Sequence, residues 1–273
     1  MGILYVVATP IGNLEDITLR ALRILKEVDL IAAEDTRHTK KLLSHYAVST
    51  PLTSYFEHNE KEKAPLLVGK LKEGSDIALV SDAGTPGISD PGYRLVRLAI
   101  ENSIPVVPVP GPSALISVLS ASGLPLNEFT FKGFVPSGAS RKKVFLEMKG
   151  EEHTYVFYES PNRLKETLDD ILEVLGDIDI IIAREMTKMH EEILRGRAGV
   201  IAGLLKDREI KGEIVIVLRT VKEERGDFRT ELKGFLDAGL KLNDAVKAVS
   251  QEFGLPKSEV YKEALRIKDA VKK

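Results

Sequence analysis

The chain has 273 residues, of which 43% are hydrophobic and 29% charged, and its formal net charge is −2 with the histidines neutral. This length favours two domains with a large core, and the near-neutral charge excludes a broad basic face for nucleic acid. The absence of cysteine excludes disulfides and thiolate metal sites and is in keeping with a cytoplasmic protein. No apolar run approaches the length of a membrane span, so we expect no membrane partner.

The first 120 residues alternate between short apolar runs and amphipathic segments. Continuous apolar runs of this length are typical of strands that are buried on both faces of a parallel sheet. The pattern predicts a helix that starts after Asp16 as its N-cap. The other predicted elements are strands at 3–7, 30–34, 77–80 and 104–109, and helices around 66–71, 93–102 and 113–121.

A second alternating block follows the segment ASGLPLNEF at 121–129. The charged segment VKEERGD at 221–227 predicts a linker, and the tail predicts two helices joined by the turn FGLPKS, with Ser258 as a cap. We therefore predict an α/β protein with mostly parallel sheets, divided into α/β domains at 1–120 and 121–222 and a linker with a helical tail at 223–273. The block's own predicted elements are strands at 154–159, 178–185 and 212–219, and a helix at 164–175.

Four loops that follow the predicted strands of the first domain are rich in Gly, Pro, Ser, Thr and Asp. Ligands of parallel sheets bind at the carboxyl ends of strands, and Gly and Pro give such loops rigid, closely approachable backbones. Taken singly, each loop is more typical of an ordinary turn. We predict that Asp90 and Pro91 cap and begin a helix, whereas Asp82 has no helix to cap and is a candidate for ligand contact. The loops are ATPIGNLED, AEDTRHTKKLL, SDAGTPGISDPG and PVPGPSAL.

Several common catalytic motifs are missing from the sequence. It has no G-x-G-x-x-G dinucleotide fingerprint, no P-loop, no H-E-x-x-H and no G-x-S-x-G nucleophile elbow. Its five histidines lack the close spacing of metal ligands. Hydrolase, NTPase and zinc-enzyme interpretations therefore lose their main support, and we expect no metal.

The ordered set of motifs resembles the tetrapyrrole-methylase-like (class III) S-adenosylmethionine methyltransferases, over nearly the whole chain. The motifs of the first domain are TPIGNLEDIT, AEDTRHT, SDAGTPGISDPG and PGPSA, and those of the second are GFVP, FYESPNR, AREMTKMHEE and KGEIVIV. Family members that modify tetrapyrroles have G-x-G-P-G-D in the first loop. The T-P-I-G-N-L-E-D found here instead resembles the branch that methylates ribosomal RNA.

The resemblance implies that S-adenosylmethionine binds in a cleft between two α/β domains. In the rRNA branch this donor methylates the 2′-oxygen of a cytidine ribose in the decoding centre of 16S rRNA. The partner would be 16S rRNA within the small ribosomal subunit, and the enzyme would be a homodimer. The positions that match the family's donor-binding residues are Pro10, Ser81, Asp82, Ala83, Gly84, Ile88, Ser113, Ala114, Phe157, Tyr158, Ala183, Gly212 and Glu213.

A ribose hydroxyl is a poor nucleophile, so a base or a cationic stabiliser would assist the transfer. The candidates are Glu159, Asp35, Arg37 and Arg163, with Glu34, Arg184 and Glu185 behind them. A structural salt bridge or a phosphate clamp is the alternative for each Arg–Glu pair. For RNA contact, the densest basic cluster is SRKK, with Arg141, Lys142 and Lys143; Arg163, Lys165 and Lys188 could extend it around the cleft.

Two other functions are compatible with the same loops. One is a methyltransferase acting on a small tetrapyrrole-type molecule, which the first-loop sequence and the helical tail disfavour. The other is a non-catalytic, RNA-binding ribosome-assembly factor, which the intact SDAGTPGISDP and PGPSA loops disfavour. The tail itself is interpreted as an RNA-docking element, with dimerisation or domain capping as alternatives.

Overall fold

The structure, a computed structural model, describes residues 1–222 and 227–270. The chain forms two compact units, Met1–Val221 and Lys222–Lys273. Residues 223–226 of the predicted linker lie outside the described residues. No helix in the described ranges is both long and apolar enough to cross a membrane.

The first sheet of the larger unit is entirely parallel, as the sequence predicts. Its strand order is β3-β2-β4-β1-β5, so β4 lies between β2 and β1. All four residues of β4 are buried, which explains why this strand is a continuous apolar run. The strands are β1 (Leu4–Val7), β2 (Leu30–Ala33), β3 (Leu52–Ser54), β4 (Ile77–Val80) and β5 (Val106–Val109).

Two helices cover each face of this sheet. Their apolar stripes form two separate cores, one with α1 and α2 and the other with α3 and α4. Each helix follows a parallel strand, so each begins near the carboxyl edge of the sheet. The helices are α1 (Leu19–Glu27), α2 (Thr36–His45), α3 (Glu60–Lys72) and α4 (Tyr93–Glu101).

The predicted caps of α1 and α4 are wrong. Asp16 ends a short 3₁₀ turn, Leu14–Asp16, and α1 is instead capped by Thr18, whose hydroxyl accepts a hydrogen bond from the Ala21 amide at 3.0 Å. The residue before α4 is Gly92, at φ 152°, so Asp90 and Pro91 precede the helix and do not begin it. The Asp90 carboxylate therefore does not cap α4.

The second sheet is mixed, with strand order β6-β7-β10-β8-β9. Its outer pair β6–β7 is parallel, while the other three neighbouring pairs are antiparallel. The α/β class is confirmed, but the expectation of mostly parallel pairing is wrong here. The reason is that the last strand inserts in the opposite direction between β7 and β8. The strands are β6 (Phe129–Phe134), β7 (Thr154–Glu159), β8 (Asp179–Arg184), β9 (Glu192–Arg197) and β10 (Ile214–Arg219).

Helices cover both faces of this sheet as well. Three of them, α6 (Ala139–Met148), α7 (Leu164–Leu175) and α8 (Ala198–Leu205), pack on one face. The opposite face packs against α5 (Ala114–Ser120), which continues directly from the last loop of the first sheet. Because α5 joins the two layers, both sheets lie within one compact unit. The predicted division of the chain at residue 120 stays a prediction.

Within residues 227–270, the C-terminal unit contains three helices where the sequence predicted two. They are α9 (Phe228–Asp237), α10 (Leu242–Phe253) and α11 (Lys257–Ala270), packed around a core of their own. Ser258 lies inside α11, so its predicted cap role is wrong. The carbonyl of Pro256 instead accepts hydrogen bonds from the Glu259 and Val260 amides.

Candidate functional site

A cleft with a volume of about 370 Å³ lies between the carboxyl edge of the first sheet and the second sheet. All four strand-end loops contribute to it, or to the layer beneath it. The residues that line it from the first sheet are Ile11, Glu34, Asp82, Ala83, Gly84, Thr85, Ile88, Ser89, Asp90, Ser113 and Ala114; those from the second are Phe134, Tyr158, Glu159, Ser160, Pro161, Gly212, Glu213, Ile214 and Val215.

The first and third loops form the floor of the cleft and are bonded to each other. Thr9 and Gly84 exchange two backbone hydrogen bonds, at 2.9 and 3.0 Å, and the Thr9 hydroxyl donates to the Ser81 carbonyl at 3.0 Å. Gly84 has φ of 79°, a conformation that other residues rarely adopt. The glycine in this loop therefore allows the backbone itself to form the cleft surface.

The second loop is tied to the third through carboxylates. The Asp35 amide donates to Oδ1 of Asp82 at 3.0 Å, and the Asp82 amide donates to Oε2 of Glu34 at 3.3 Å. The Asp82 side chain is thus bonded to the backbone of the second loop, and the Glu34 side chain to the backbone of the third. Asp82 was predicted to face a ligand because it has no helix to cap, and the structure places it on the cleft wall.

Aromatic rings form the wall that the second sheet contributes. Tyr158 makes edge-on contacts with Phe131 and Phe134, with ring centres 5.0 and 5.6 Å apart. Burial, and then the nearby charge of Asp90, raise the pKa of the Tyr158 hydroxyl, so it is neutral at physiological pH. These rings give this side of the cleft an apolar patch that carries the Tyr158 hydroxyl.

The end of the same wall depends on a glycine. Gly212 has φ of 91°, and a Cβ there would overlap the carboxylate of Glu185. Burial would raise the pKa of Glu185, but hydrogen bonds from Lys188 and from the Glu213 amide lower it. Lys188 also bridges to Glu213, with Nζ 3.1 Å from Oε2. Gly212 and Glu213 are therefore held in place by an ion-pair network outside the cleft.

The charges of the cleft have one sign. Its lining includes the carboxylates of Glu34, Asp82, Asp90 and Glu213, and among the described residues that line it none is Lys, Arg or His. Glu213 is paired with Lys188, whereas Glu34, Asp82 and Asp90 have no ion pair with another described residue. Burial, and in addition the repulsion among these groups, raise the pKa of Glu34 and of Asp90. Such a cleft disfavours anions and favours a cation.

A buried hydroxyl lies beside this cluster. Ser81 is only 2% exposed, and its Oγ has no hydrogen-bond partner within 3.5 Å among the described residues. It is nevertheless near enough to Asp90 to lower that carboxyl's pKa, against the larger effect of burial. A buried polar atom without a full partner is rare and costs about 1–3 kcal/mol, so this hydroxyl is an unusual feature of the layer beneath the cleft floor.

Asp35 and Arg37, predicted as catalytic candidates, do not line the cleft. Asp35 caps α2, and its carboxylate accepts hydrogen bonds from the amide and the guanidinium of Arg37. The Arg37 side chain, through its hydrogen bonds, holds the pKa of the Asp35 carboxyl well below its usual range. A carboxylate of that kind accepts a proton poorly.

Glu159 and Arg163, the other two catalytic candidates, form a buried pair. The Glu159 carboxylate lies 2.6 Å from the Arg163 guanidinium, and it accepts hydrogen bonds from the Ser160 amide and the Thr167 hydroxyl, both at 2.6 Å. Glu159 therefore forms part of the cleft wall with its oxygens already engaged. This arrangement is typical of a structural salt bridge, the alternative considered from the sequence.

The predicted RNA-binding cluster is largely used inside the protein. Arg141 is 4% exposed and forms an ion pair with Asp170, which corrects its assignment as an RNA contact. Lys142 pairs with Glu173 at 2.7 Å. Only Lys143 of the three is fully on the surface. Arg141 lies in the first turn of α6, on the helix face that packs against α7.

Nine of the predicted donor-binding residues line the cleft and four do not. Ser81 lies beneath the floor of the cleft. The side chains of Phe157 and Ala183 belong to the two cores on opposite faces of the second sheet. In the first loop, Ile11 lines the cleft and Pro10 does not. The alternation of side chains along a strand explains Phe157, because its neighbour Tyr158 faces the cleft. Those on the wall are Asp82, Ala83, Gly84, Ile88, Ser113, Ala114, Tyr158, Gly212 and Glu213.

The sequence interpretation missed Asp90 and Phe134 as lining residues and ranked Glu34 low. The signal for Glu34 was available, since it directly follows a buried strand. Asp90 was hidden by the Asp-Pro pair, which commonly begins a helix.

Comparisons with known proteins give the family of the chain. A family model described as Tetrapyrrole (Corrin/Porphyrin) Methylases matches residues 3–202. A protein of Halalkalibacterium halodurans is 46% identical over 270 residues, covering 95% of this chain and 93% of its own length. One of Escherichia coli O157:H7 is 45% identical over 271 residues, with 97% and 95% covered. One of Thermotoga maritima is 50% identical over 218 residues, with 80% and 98% covered. All three are named ribosomal RNA small subunit methyltransferase I.

Solved structures share the fold at low sequence identity. A diphthine synthase has a TM-score of 0.63 at 14% identity, with 80% of this chain and 90% of the other covered. Uroporphyrin-III-C-methyltransferase from Thermus thermophilus has a TM-score of 0.57 at 20% identity, with 80% and 94% covered. Together with the ordered loops and the cleft they line, these matches show that the chain belongs to the tetrapyrrole methylase family, in the group of ribosomal RNA small subunit methyltransferase I.

Proposed function

We propose that this protein transfers a methyl group from S-adenosylmethionine to ribosomal RNA, at the 2′-oxygen of a cytidine ribose in the decoding centre of 16S rRNA. The observation that carries the donor assignment is the cleft itself, which combines apolar walls with unpaired carboxylates and no lining cation among the described residues. The names of relatives at 45–46% identity over most of the chain support the RNA substrate.

The residues present fit the donor. S-adenosylmethionine carries a sulfonium and an ammonium group, which suit the carboxylates of Asp82 and Asp90. Its adenine ring needs an apolar slot with a few polar partners, which Ile88, Phe134 and Tyr158 can provide. The Ser81 hydroxyl, which lies beneath the floor, supports the Asp90 carboxylate at the acidic end. We retain as donor-binding the nine predicted residues that line the cleft, and Pro10, Ser81, Phe157 and Ala183 as supports behind it.

When bound, the donor supplies a methyl group that is already activated by its positive sulfur. The protein's task is then to align the acceptor oxygen with that methyl group and to keep water away, which can account for much of the rate. The rigid floor formed by Thr9 and Gly84 and the aromatic wall at Tyr158 serve that alignment. No step requires a metal ion.

We infer that Glu34 accepts the proton of the ribose hydroxyl. It lines the cleft, and burial raises its carboxyl pKa, which moves its affinity for a proton towards the range that general-base catalysis needs. Asp35 is a weaker candidate because Arg37 holds its pKa low. Glu159 and Arg163 would act by holding the wall in place.

The proposal includes the biological setting that the family implies. The substrate is 16S rRNA, in the context of the small ribosomal subunit, and the work is done in the cytoplasm by a homodimer. Lys143 remains a proposed RNA contact on the rim, whereas Arg141 and Lys142 support it through their ion pairs. The helical tail is proposed to assist RNA docking.

Incubation with labelled S-adenosylmethionine and unmethylated small subunits, followed by mapping of the label, tests the function. Label on one cytidine ribose is expected. Donor binding without transfer to RNA would favour another substrate, such as a tetrapyrrole. Absence of donor binding would indicate an assembly factor and overturn the proposal.

A pair of variants tests the base. Glu34→Gln should lower kcat, measured at saturating donor, by about a hundredfold or more, because general-base catalysis contributes that much. Asp35→Asn removes the same charge one residue away and serves as the control. Comparable turnover in the two variants would rule out Glu34 as the base.

A further inference from the structure

The outer face of α2 has a composition that the methyl-transfer site does not explain. The helix packs Thr39, Leu42 and Leu43 against the first sheet. Among the charged helices in the described part of the chain, α2 alone carries no acidic residue. Its exposed residues are all basic or hydroxyl-bearing: Arg37, His38, Lys40, Lys41, Ser44 and His45.

The positive charges of this face are available to a partner. Lys40 and Lys41 are exposed and have no ion pair with another described residue. Arg37 pairs with Asp35, yet 89% of its side chain remains accessible. This differs from α6, where Arg141 and Lys142 are taken up by the carboxylates of α7. The cations of α2 therefore stay on the surface, with no carboxylate on the same helix to pair with them.

The position of the helix links this surface to the cleft. α2 begins two residues after Glu34, which lines the cleft, and its cap Asp35 is bonded through its amide to Asp82 at 3.0 Å. A helix of ten residues extends roughly 15 Å from that point. A chain of phosphates lying along the helix would thus lead to the cleft.

Charge complementarity identifies the partner. The whole chain has a net charge of −2, so it cannot attract a polyanion through its overall field and must do so locally. Three cations without an acidic neighbour on the same helix match successive phosphates of a nucleic acid strand. Phosphate contacts of this kind fix register and orientation and leave base recognition to other groups.

We propose that the outward face of α2 binds the phosphate backbone of the substrate RNA and directs the target nucleotide into the cleft. This inference rests on the proposed function, because it requires an RNA substrate. It assigns to Lys40, Lys41 and Arg37 a positioning role, since none of them lines the cleft.

The double variant Lys40→Gln with Lys41→Gln tests the proposal on unmethylated small ribosomal subunits. Affinity should fall by about tenfold in about 0.1 M salt, and the slope of log K against log salt should decrease in magnitude by about 1.4, or 0.7 for each lost contact. Donor affinity and turnover at saturating RNA should remain within about twofold. The change in salt slope distinguishes a phosphate contact from a loss of fold.

The matched control is Lys70→Gln with Lys72→Gln, which removes two exposed lysines from α3 on the opposite face of the same sheet. It should leave RNA affinity unchanged. If the wild-type protein methylates rRNA but the two double variants bind it equally well, α2 is not the docking surface. If the wild-type protein neither binds the small subunit nor methylates its rRNA, the proposed function is wrong, and this inference is wrong with it.

Discussion

Carboxylates of low exposure occur in two different settings in the larger unit. Those of Glu159 and Asp170 each face a buried or half-buried arginine and accept further hydrogen bonds or ion pairs. Those of Glu34 and Asp90, in the cleft, have no cationic partner among the described residues and repel one another. The comparison indicates that buried carboxylates are paired with cations of the protein itself, except in the cleft, where a ligand would supply the missing positive charge.

The largest effect is expected from breaking a satisfied pair. Asp170→Ala leaves the buried Arg141 with the neutral Thr167 hydroxyl and the exposed, more distant Glu166 carboxylate, and should lower the free energy of unfolding by about 3–5 kcal/mol. Denaturant unfolding measures this loss. Donor affinity of the folded protein should not change.

The control for that variant replaces the whole pair by Arg141→Met with Asp170→Leu. It should recover most of the lost stability, because no unpaired charge remains. Equal destabilisation by both variants would show that packing, and not the ion pair, dominates.

Replacing a cleft carboxylate that has no cationic partner should weaken donor binding and leave the stability of the fold unchanged or higher. Asp90→Asn should weaken S-adenosylmethionine binding by about ten- to a hundredfold, since hydrogen bonds to charged groups contribute about 1.5–3 kcal/mol. The melting temperature should stay the same or rise, because repulsion with Asp82 and Glu213 is relieved. Calorimetric titration and thermal unfolding measure the two effects. Asp207→Asn, at an exposed position, is the matched control.

The pH dependence sharpens the comparison further. The pKa values of Glu34 and Asp90 are raised in the folded protein, so their contribution to stability is present below the ordinary carboxyl range and is lost as pH rises through the raised values. Donor affinity should change in the other direction and fall, by about tenfold for one shared charge, as pH drops through the same range. Titrations across pH 4 to about 8 measure both. A pH-independent affinity would contradict a role for these charges.

The smallest effect is expected where a pair is exposed. Lys142→Gln removes the contact with Glu173 at 2.7 Å, and surface pairs contribute about 0.2–1 kcal/mol. Unfolding should therefore change by less than about 1 kcal/mol, and rRNA affinity by less than about twofold. A large loss of RNA binding would instead assign RNA docking to the basic cluster in the first turns of α6.

The strand-end loops were predictable because a parallel sheet brings the carboxyl ends of its strands to one edge. That rule, with the family resemblance, predicts Asp82, Gly84 and Ser113 as donor-binding positions, and all three lie on the cleft wall. The same local reasoning failed for Asp90, whose sequence neighbours are those of a helix start, and for Arg141, whose partner is 29 residues away. Which side of an element faces the core is decided by contacts distant in sequence.

The antiparallel pairing of the second sheet was equally hidden. Strands at 154–159 and 178–185 are separated by a helix, which is typical of parallel neighbours. The two strands are not neighbours, because β10 lies between them and pairs antiparallel with each. The sequence of β10 is apolar up to its last residue, Arg219, and carries no sign of its direction.

That insertion has a consequence for the order of folding during synthesis. The second sheet lacks its central strand until Arg219 has left the ribosome, although β7 and β8 are complete once Arg184 has been added. The apolar side of α5, which ends at Ser120, has no complete sheet to cover it for the same period. Non-local strand pairing of this kind is slow, so the nascent chain keeps hydrophobic surface exposed until late in synthesis. We expect chaperones to bind this chain mainly between the synthesis of Arg184 and the release of Arg219 from the ribosome.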